Sequence, residues 1–151
     1  MAYTTPRTWV AGEYPTAAQL NANVRDNVSF LANPPACRVY NSGTQSIPNT
    51  TATVLTFNSE RYDTASLHST SVDTSRLTIP VAGLYLVGAT VSFQGNATGR
   101  RSVTIRGDGA TTIVSNNLPA VGGGVETTIN INTVWKLAAS SFLEVVVYQD
   151  S

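Results

Sequence analysis

The most regular alternation of apolar and polar residues in the chain occupies residues 76–93. From Gly83 onward every second residue is apolar or aromatic, and Pro80 and Gly83 mark the start of the run. Because successive side chains of a β-strand point to opposite faces of a sheet, this pattern predicts one long, central strand with a single buried face. The residues predicted to face the core are Tyr85, Val87, Ala89, Val91 and Phe93.

Shorter runs of β-forming residues fill most of the chain after residue 35. They are separated by turn residues such as Gly107-Asp108-Gly109, which are typical of a tight hairpin. Many short strands with turns between them predict a mainly β fold, either a sandwich or a jelly roll. The predicted strands cover residues 38–41, 51–57, 61–64, 76–80, 83–94, 101–106, 111–115, 127–136 and 142–149.

One stretch before the β region has the spacing of a helix. Thr16 and Gln19 form a capping-box pair, and Asn33-Pro34-Pro35 ends the segment. Apolar residues recur between these points at intervals of three or four, which predicts one short amphipathic α-helix. A helix of about 15 residues is marginal alone in water, so we expect its apolar stripe to dock on another surface. The stripe consists of Leu20, Val24, Val28 and Leu31.

Residues 1–15 show no periodicity and contain Pro6, Gly12 and Pro15, which predicts an extended arm. Trp9 is conspicuous in this arm, because an arm has no core of its own in which to bury an indole. Two placements of its side chain are compatible with the sequence. Trp9 either folds back onto its own subunit or inserts into a partner.

Charged residues make up only 12% of the chain, and the formal net charge is +0. Lys136 is the only lysine, so we do not expect the clustered positive charge of a nucleic-acid-binding surface. No apolar run has the length of a membrane span, and the first residues lack the basic start and apolar stretch of a signal peptide. A nearly uncharged surface instead suits a protein that packs against copies of itself or against a partner.

The residue types that carry most enzyme chemistry are scarce. His68 is the only histidine and Cys37 the only cysteine, so one chain can build neither a zinc site nor an internal disulfide. The sequence has no nucleophile motif, phosphate-binding loop or EF-hand spacing. We therefore expect a protein that is not an enzyme and has no cofactor or metal, with His68 as a surface or packing residue.

The spacing of Pro80, Gly83, Tyr85, Val91 and Phe93 resembles the signature of the complement/tumour-necrosis-factor-like jelly rolls, and the likeness extends over residues 37–151. The resemblance implies a jelly-roll β-sandwich that packs as a homotrimer, through interfaces of roughly 2,000 Å² or more. The residues that it implies for the core or the trimer interface are Tyr85, Val87, Val91, Phe93, Trp135 and Tyr148.

The first part of the chain has a resemblance of its own, to the leader of many structural proteins of tailed phages. Residues 8–21 contain the form W-x-x-G-E-x-x-T-A-x-x-L-N, which begins at Trp9, and residues 24–27 and 30–31 supply V-R-D-N and F-L. In such proteins the leader precedes a variable C-terminal module. The resemblance implies an attachment segment in residues 1–35 and a jelly-roll knob in residues 36–151. The expected attachment residues are Trp9, Leu20, Val24 and Leu31.

Together the two resemblances imply a phage virion structural protein. The function that we expect is a trimeric capsid decoration protein, or head fibre, bound to the major capsid protein or other virion subunits on the capsid surface. Two alternatives stay open: a tail-fibre or tail-tip knob (a minor tail protein) that binds a host receptor or glycan, and a bacterial lectin-like module. Helix and knob are joined by Asn33-Pro34-Pro35 with no room for a shaft, which favours decoration over a receptor-binding fibre.

Overall fold

A computed structural model describes residues 3–151 of the chain. Met1 and Ala2, the first residues of the predicted arm, lie outside the described residues. The fold is mainly β, with several antiparallel sheets after a short helical segment, which confirms the class predicted from the sequence. The strands are β1 (Cys37–Tyr40), β2 (Thr53–Val54), β3 (Ser59–Asp63), β4 (Leu77–Thr78), β5 (Gly83–Phe93), β6 (Arg100–Gly107), β7 (Thr111–Pro119), β8 (Thr127–Leu137) and β9 (Phe142–Gln149).

The strands form three sheets of unequal size. The largest has five strands, in the order β2-β9-β6-β7, with β4 also pairing with β9. Strands β5 and β8 form a separate antiparallel pair that runs from Gly83 opposite Leu137 to Phe93 opposite Thr127. Strands β1 and β3 form the third sheet, also antiparallel. Each strand that the sequence pattern predicts has a counterpart among them.

The turn between β6 and β7 takes the tight form that its sequence predicts. Asp108 and Gly109 both have positive φ, at 49° and 73°, and the Ala110 N–H donates to the Gly107 carbonyl over 3.1 Å. Two successive residues with positive φ define a type I′ turn, whose twist matches that of the flanking strands. The prediction of a hairpin at Gly107-Asp108-Gly109 is therefore confirmed.

The hydrophobic core lies between the β5–β8 pair and the five-stranded sheet. The alternation predicted for β5 is confirmed, because Phe93 is buried and the other odd-numbered positions are less exposed than their even-numbered neighbours. Its predicted central position is wrong, since β5 pairs with β8 alone and is an edge strand. Side chains of β8 complete this face, and those of β6 and β9 meet them in one continuous cluster. Its most deeply buried members are Ile79, Val103, Ile129 and Val147.

The helical segment covers the predicted range but is not a uniform α-helix. It consists of α1 (Ala17–Leu20), a π-helical turn (Asn21–Arg25) and α2 (Asp26–Ala32). The Gln19 N–H donates to Thr16 Oγ1 over 3.3 Å, and the Thr16 N–H donates to Gln19 Oε1 over 2.8 Å, so the predicted capping box is confirmed. The helix ends at Ala32, directly before the Asn33-Pro34-Pro35 break.

One buried carboxylate of the five-stranded sheet pairs with two arginines. Glu144 is 7% exposed and accepts from Arg106 Nη2 over 2.9 Å and from Arg106 Nε over 3.1 Å. Arg76 Nε lies 3.5 Å from the other carboxylate oxygen, and the Arg76 guanidinium covers the ring of Phe142. A buried carboxylate is costly unless it is paired and hydrogen-bonded, and here two cations meet that requirement.

We predict that Glu144→Gln lowers the free energy of unfolding by about 2 kcal/mol, because it leaves two guanidinium groups without their counter-charge. The loss is smaller than for a fully buried ion pair, since Arg76 and Arg106 are partly solvated. Urea unfolding followed by circular dichroism measures the change. Glu126→Gln is the matched control, since Glu126 is an exposed loop residue and its loss should have little effect. Equal losses for the two variants would contradict the assignment.

Candidate functional site

Two asparagines of the helix hold the N-terminal arm against it. Asn27 binds both backbone groups of Thr4, accepting from its N–H over 3.0 Å and donating to its carbonyl over 2.8 Å. Asn23 Oδ1 accepts from the Arg7 N–H over 3.1 Å. The pattern of apolar residues did not indicate a role for these two asparagines. Side chains four residues apart share one helix face, so both can hydrogen-bond to an extended segment that runs along that face.

The arm itself turns back through an ion pair and exposes several apolar side chains. Arg7 pairs with Glu13 over 2.7 Å, and its guanidinium lies 4.7 Å from the centre of the Trp9 ring. Trp9 remains 39% exposed, and Val10 and Tyr14 are more exposed still. Within one chain Trp9 is therefore covered on one side only, and the rest of its indole is open to another molecule.

The apolar stripe of the helix also faces solvent. Leu20, Val24, Val28 and Leu31 are 44%, 49%, 59% and 74% exposed, so the stripe is not buried by the knob. Within residues 3–151 no surface covers this stripe. Three of the four predicted attachment residues lie together on this stripe, while Trp9 lies on the arm beside it.

The residues expected in the core or trimer interface take several different positions. Phe93 lies in the core, and Tyr85, Val87 and Val91 are partly buried against it. Trp135 faces Tyr85 across the β5–β8 ladder but is 40% exposed. Tyr148 lies on the five-stranded sheet, where the Arg100 guanidinium is 5.1 Å from the centre of its ring. The structure therefore does not bring all six residues into one surface.

A large apolar groove is lined by residues of β5 and of the start of β1. Its volume is about 660 Å³, and it is open along part of its length. Ala36 and Cys37 line it, as do residues 83–88 of β5. Its floor reaches the core between the two layers, at Leu77, Ile79, Ile105, Leu143 and Val145. Tyr3 and Phe30, whose rings lie 6.3 Å apart, place the arm and helix at its rim.

Titratable side chains of β3 bind His68 in the loop that follows and hold that loop in place. His68 is buried, with Nδ1 2.8 Å from Glu60 Oε1 and Nε2 3.1 Å from the Thr74 carbonyl oxygen. Partial burial opposes ionisation of Asp63, but backbone N–H groups, chiefly that of His68, hold its pKa below the ordinary value. Both ring nitrogens of His68 are occupied, which places this histidine in the packing role.

Cys37 lies beside this cluster at the border of the groove. Burial, together with the negative charges of Asp63 and Glu60, raises the pKa of the Cys37 thiol to about 11. Among residues 3–151 no group of three or more His, Cys, Asp or Glu side chains is arranged to hold a metal ion. No helix in this part of the chain is long and apolar enough to cross a membrane.

Compared with known proteins, the sequence matches no family model and no curated protein.

We predict that Cys37 reacts with iodoacetamide at pH 8 roughly 10- to 100-fold more slowly than an ordinary cysteine, since its thiolate fraction is reduced and its higher intrinsic nucleophilicity recovers only part of the loss. The rate should keep rising with pH up to about 11, because the thiolate forms only there. Mass spectrometry of timed samples measures the rate, and protein unfolded in urea is the control. A plateau near pH 9 in the folded protein would show that the thiol is not shielded.

Proposed function

We propose that this chain is a structural protein of a phage virion, a trimeric capsid decoration protein or head fibre. The attachment segment, residues 1–35, binds the major capsid protein or other virion subunits, and the knob, residues 36–151, is displayed on the capsid surface. The proposal includes the finer fold, a complement/tumour-necrosis-factor-like jelly roll preceded by an extended arm. The order of the strands and the single core between the β5–β8 pair and the five-stranded sheet support that fold.

The exposed helix stripe is the observation that carries the proposal. It lies in the same segment whose sequence resembles a phage leader, and its four apolar side chains are about half exposed or more. Burial of the area that is still exposed could contribute roughly 3 to 6 kcal/mol as an upper figure. The stripe is therefore the part of this chain best suited to attachment to another protein.

The outer face of the β5–β8 pair supports packing between copies. Leu84, Leu86 and Val134 are neighbours on this face and are 75%, 77% and 59% exposed. The other side chains of the face are small or amidic, and Lys136 is its only charged residue. Depletion of charge and exposure of aliphatic groups are typical of the centre of a subunit interface, so we assign this face to the homotrimer.

A non-enzymatic role agrees with how the chain uses its reactive side chains. The His68 ring is bound on both nitrogens, and the Cys37 thiol is held in its protonated form at neutral pH. Decoration instead needs several modest contacts per trimer, which add through multivalency once one contact is made. A tail-fibre or tail-tip knob would use the same attachment logic but would occur in far fewer copies.

We predict tens to hundreds of copies per virion, comparable with the major capsid protein, because each trimer bridges neighbouring shell subunits. Quantitative mass spectrometry of purified virions measures this number, with the major capsid protein as the internal standard. A count near three or six would assign the protein to the tail, and absence from virions would reject the proposal.

We predict that the double variant Val24→Glu/Leu31→Glu loses binding to particles that lack the native protein, by at least about 100-fold, because two charges would have to be buried in the attachment contact. Co-sedimentation with such particles measures the loss. Val72→Glu is the matched control, since Val72 is an exposed apolar residue of the knob.

Light scattering of the unaltered protein, the double variant and Val72→Glu should give a mass of three times 16.0 kDa for each. A double variant that still decorates particles would place attachment on the knob. A double variant that binds as a monomer or falls apart would place the stripe between subunits.

A further inference from the structure

Strand β5 has one edge without a partner. It pairs with β8 along all eleven residues and with no other strand in the part of the chain that is described. A β-carbon built on Gly88 would lie only 3.4 Å from the Cβ of Asn132, the close approach of a non-hydrogen-bonded pair. By the period of two, the even-numbered residues of β5 direct their N–H and C=O groups away from β8.

These free backbone groups border the groove. Leu84, Leu86 and Gly88 are the even-numbered residues of β5 that line it. Since β5 pairs with β8 alone among the described strands, these groups have no ladder partner on the groove side, and no turn or loop hydrogen bond within residues 3–151 reaches them. Glu144 is the only charged residue among those that line it, and its carboxylate is bound by Arg106. The groove thus offers a row of donors and acceptors at strand spacing beside an uncharged apolar floor.

This combination favours one kind of occupant. An apolar small molecule would fill the floor but leave the backbone groups of β5 without partners. An extended peptide meets both needs, because its backbone pairs with β5 while every second side chain enters the groove. A charged side chain pointing to the floor would be buried without a counter-charge, so the inward positions must be apolar.

A second copy of this chain has no suitable strand to offer. Its strands with a free edge, β5 among them, already direct their apolar side chains into their own core and so cannot fill the groove of a neighbour. Its arm is bound to its own helix at Thr4 and Arg7, and is interrupted by Pro6 and by Gly12, which has φ of 81°. The occupant is therefore assigned to a different polypeptide.

We propose that the groove binds an extended, uncharged segment of another protein, with an apolar residue at every second position, as an added strand on the free edge of β5. This binding site goes beyond the attachment stripe, and it does not depend on whether the chain belongs to a virion. If the chain is a decoration protein, the groove gives each subunit a second contact, separate from the helix.

The test uses a peptide whose pattern is known to fit β5. The probe is a fluorescein-labelled peptide of residues 127–133, TTININT, because this part of β8 already pairs with β5 and is uncharged. Its control, TTIINNT, has the same composition without the alternation. Fluorescence anisotropy against the full-length protein should show that the alternating peptide binds at least about tenfold more tightly. Only this peptide can pair with the edge of β5 and also place its apolar side chains on the floor of the groove.

Two proline variants locate the binding edge. Leu86→Pro removes an N–H that faces the groove, and we expect it to weaken binding of TTININT by about tenfold or more. Thr90→Pro removes an N–H on the same edge outside the groove, and should change binding by less than about threefold. Circular dichroism verifies that each variant is folded.

Ala82→Trp provides a second route if Leu86→Pro does not fold. Ala82 is exposed and lines the groove ahead of β5, so the larger side chain obstructs the groove without altering the ladder. We expect it to weaken binding of TTININT as well. Equal binding of the two peptides would indicate an apolar small-molecule pocket, and binding of neither would reject the groove as a peptide site. Dissociation of the unaltered oligomer by excess TTININT, measured by light scattering, would assign the edge to a second copy. Each of these three results would overturn the proposal.

Discussion

The structure depends on the two faces and the two edges of β5. One face of the strand closes the core against the five-stranded sheet, and one edge pairs with β8 along its whole length. The opposite edge has no partner strand in the described residues and lies beside the groove, and the opposite face carries exposed leucines. An eleven-residue strand with an open edge is unusual in an isolated soluble protein, because such edges recruit other strands. The most regular strand of the knob therefore also has the unpaired edge that is best able to recruit another strand.

Local signals account for the parts of the fold that the sequence predicted. The alternation of β5 reports which side chains share a face, the Gly107-Asp108-Gly109 turn needs two positive φ angles, and the capping box joins residues three apart. Each of these depends on neighbours in the chain, so a pattern of residues suffices. The same reasoning placed the helix stripe and its end before Pro34.

The features that the sequence did not reveal depend on partners far apart in the chain. Asn27 binds Thr4 across 23 residues, and Glu144 meets Arg106 across 38. Neither distance can be read from periodicity, because the polar residue looks like any other until the fold brings its partner close. The groove is a further case, since it is lined by residues of strands that do not pair with each other, such as β1 and β5. The π-helical turn also has no signal in the spacing of the apolar residues.

The exposed stripe has a thermodynamic consequence for any complex that it forms. Its contacts would be apolar, and the chain carries few charges to support them by long-range attraction. Such contacts lose little when salt is raised, because there is almost no Coulomb energy to screen, and excluded salts such as sulfate strengthen them. They weaken in the cold, since hydrophobic association is driven by entropy near room temperature. If this protein covers a particle, we expect it to stay bound at high salt and to dissociate more readily at low temperature.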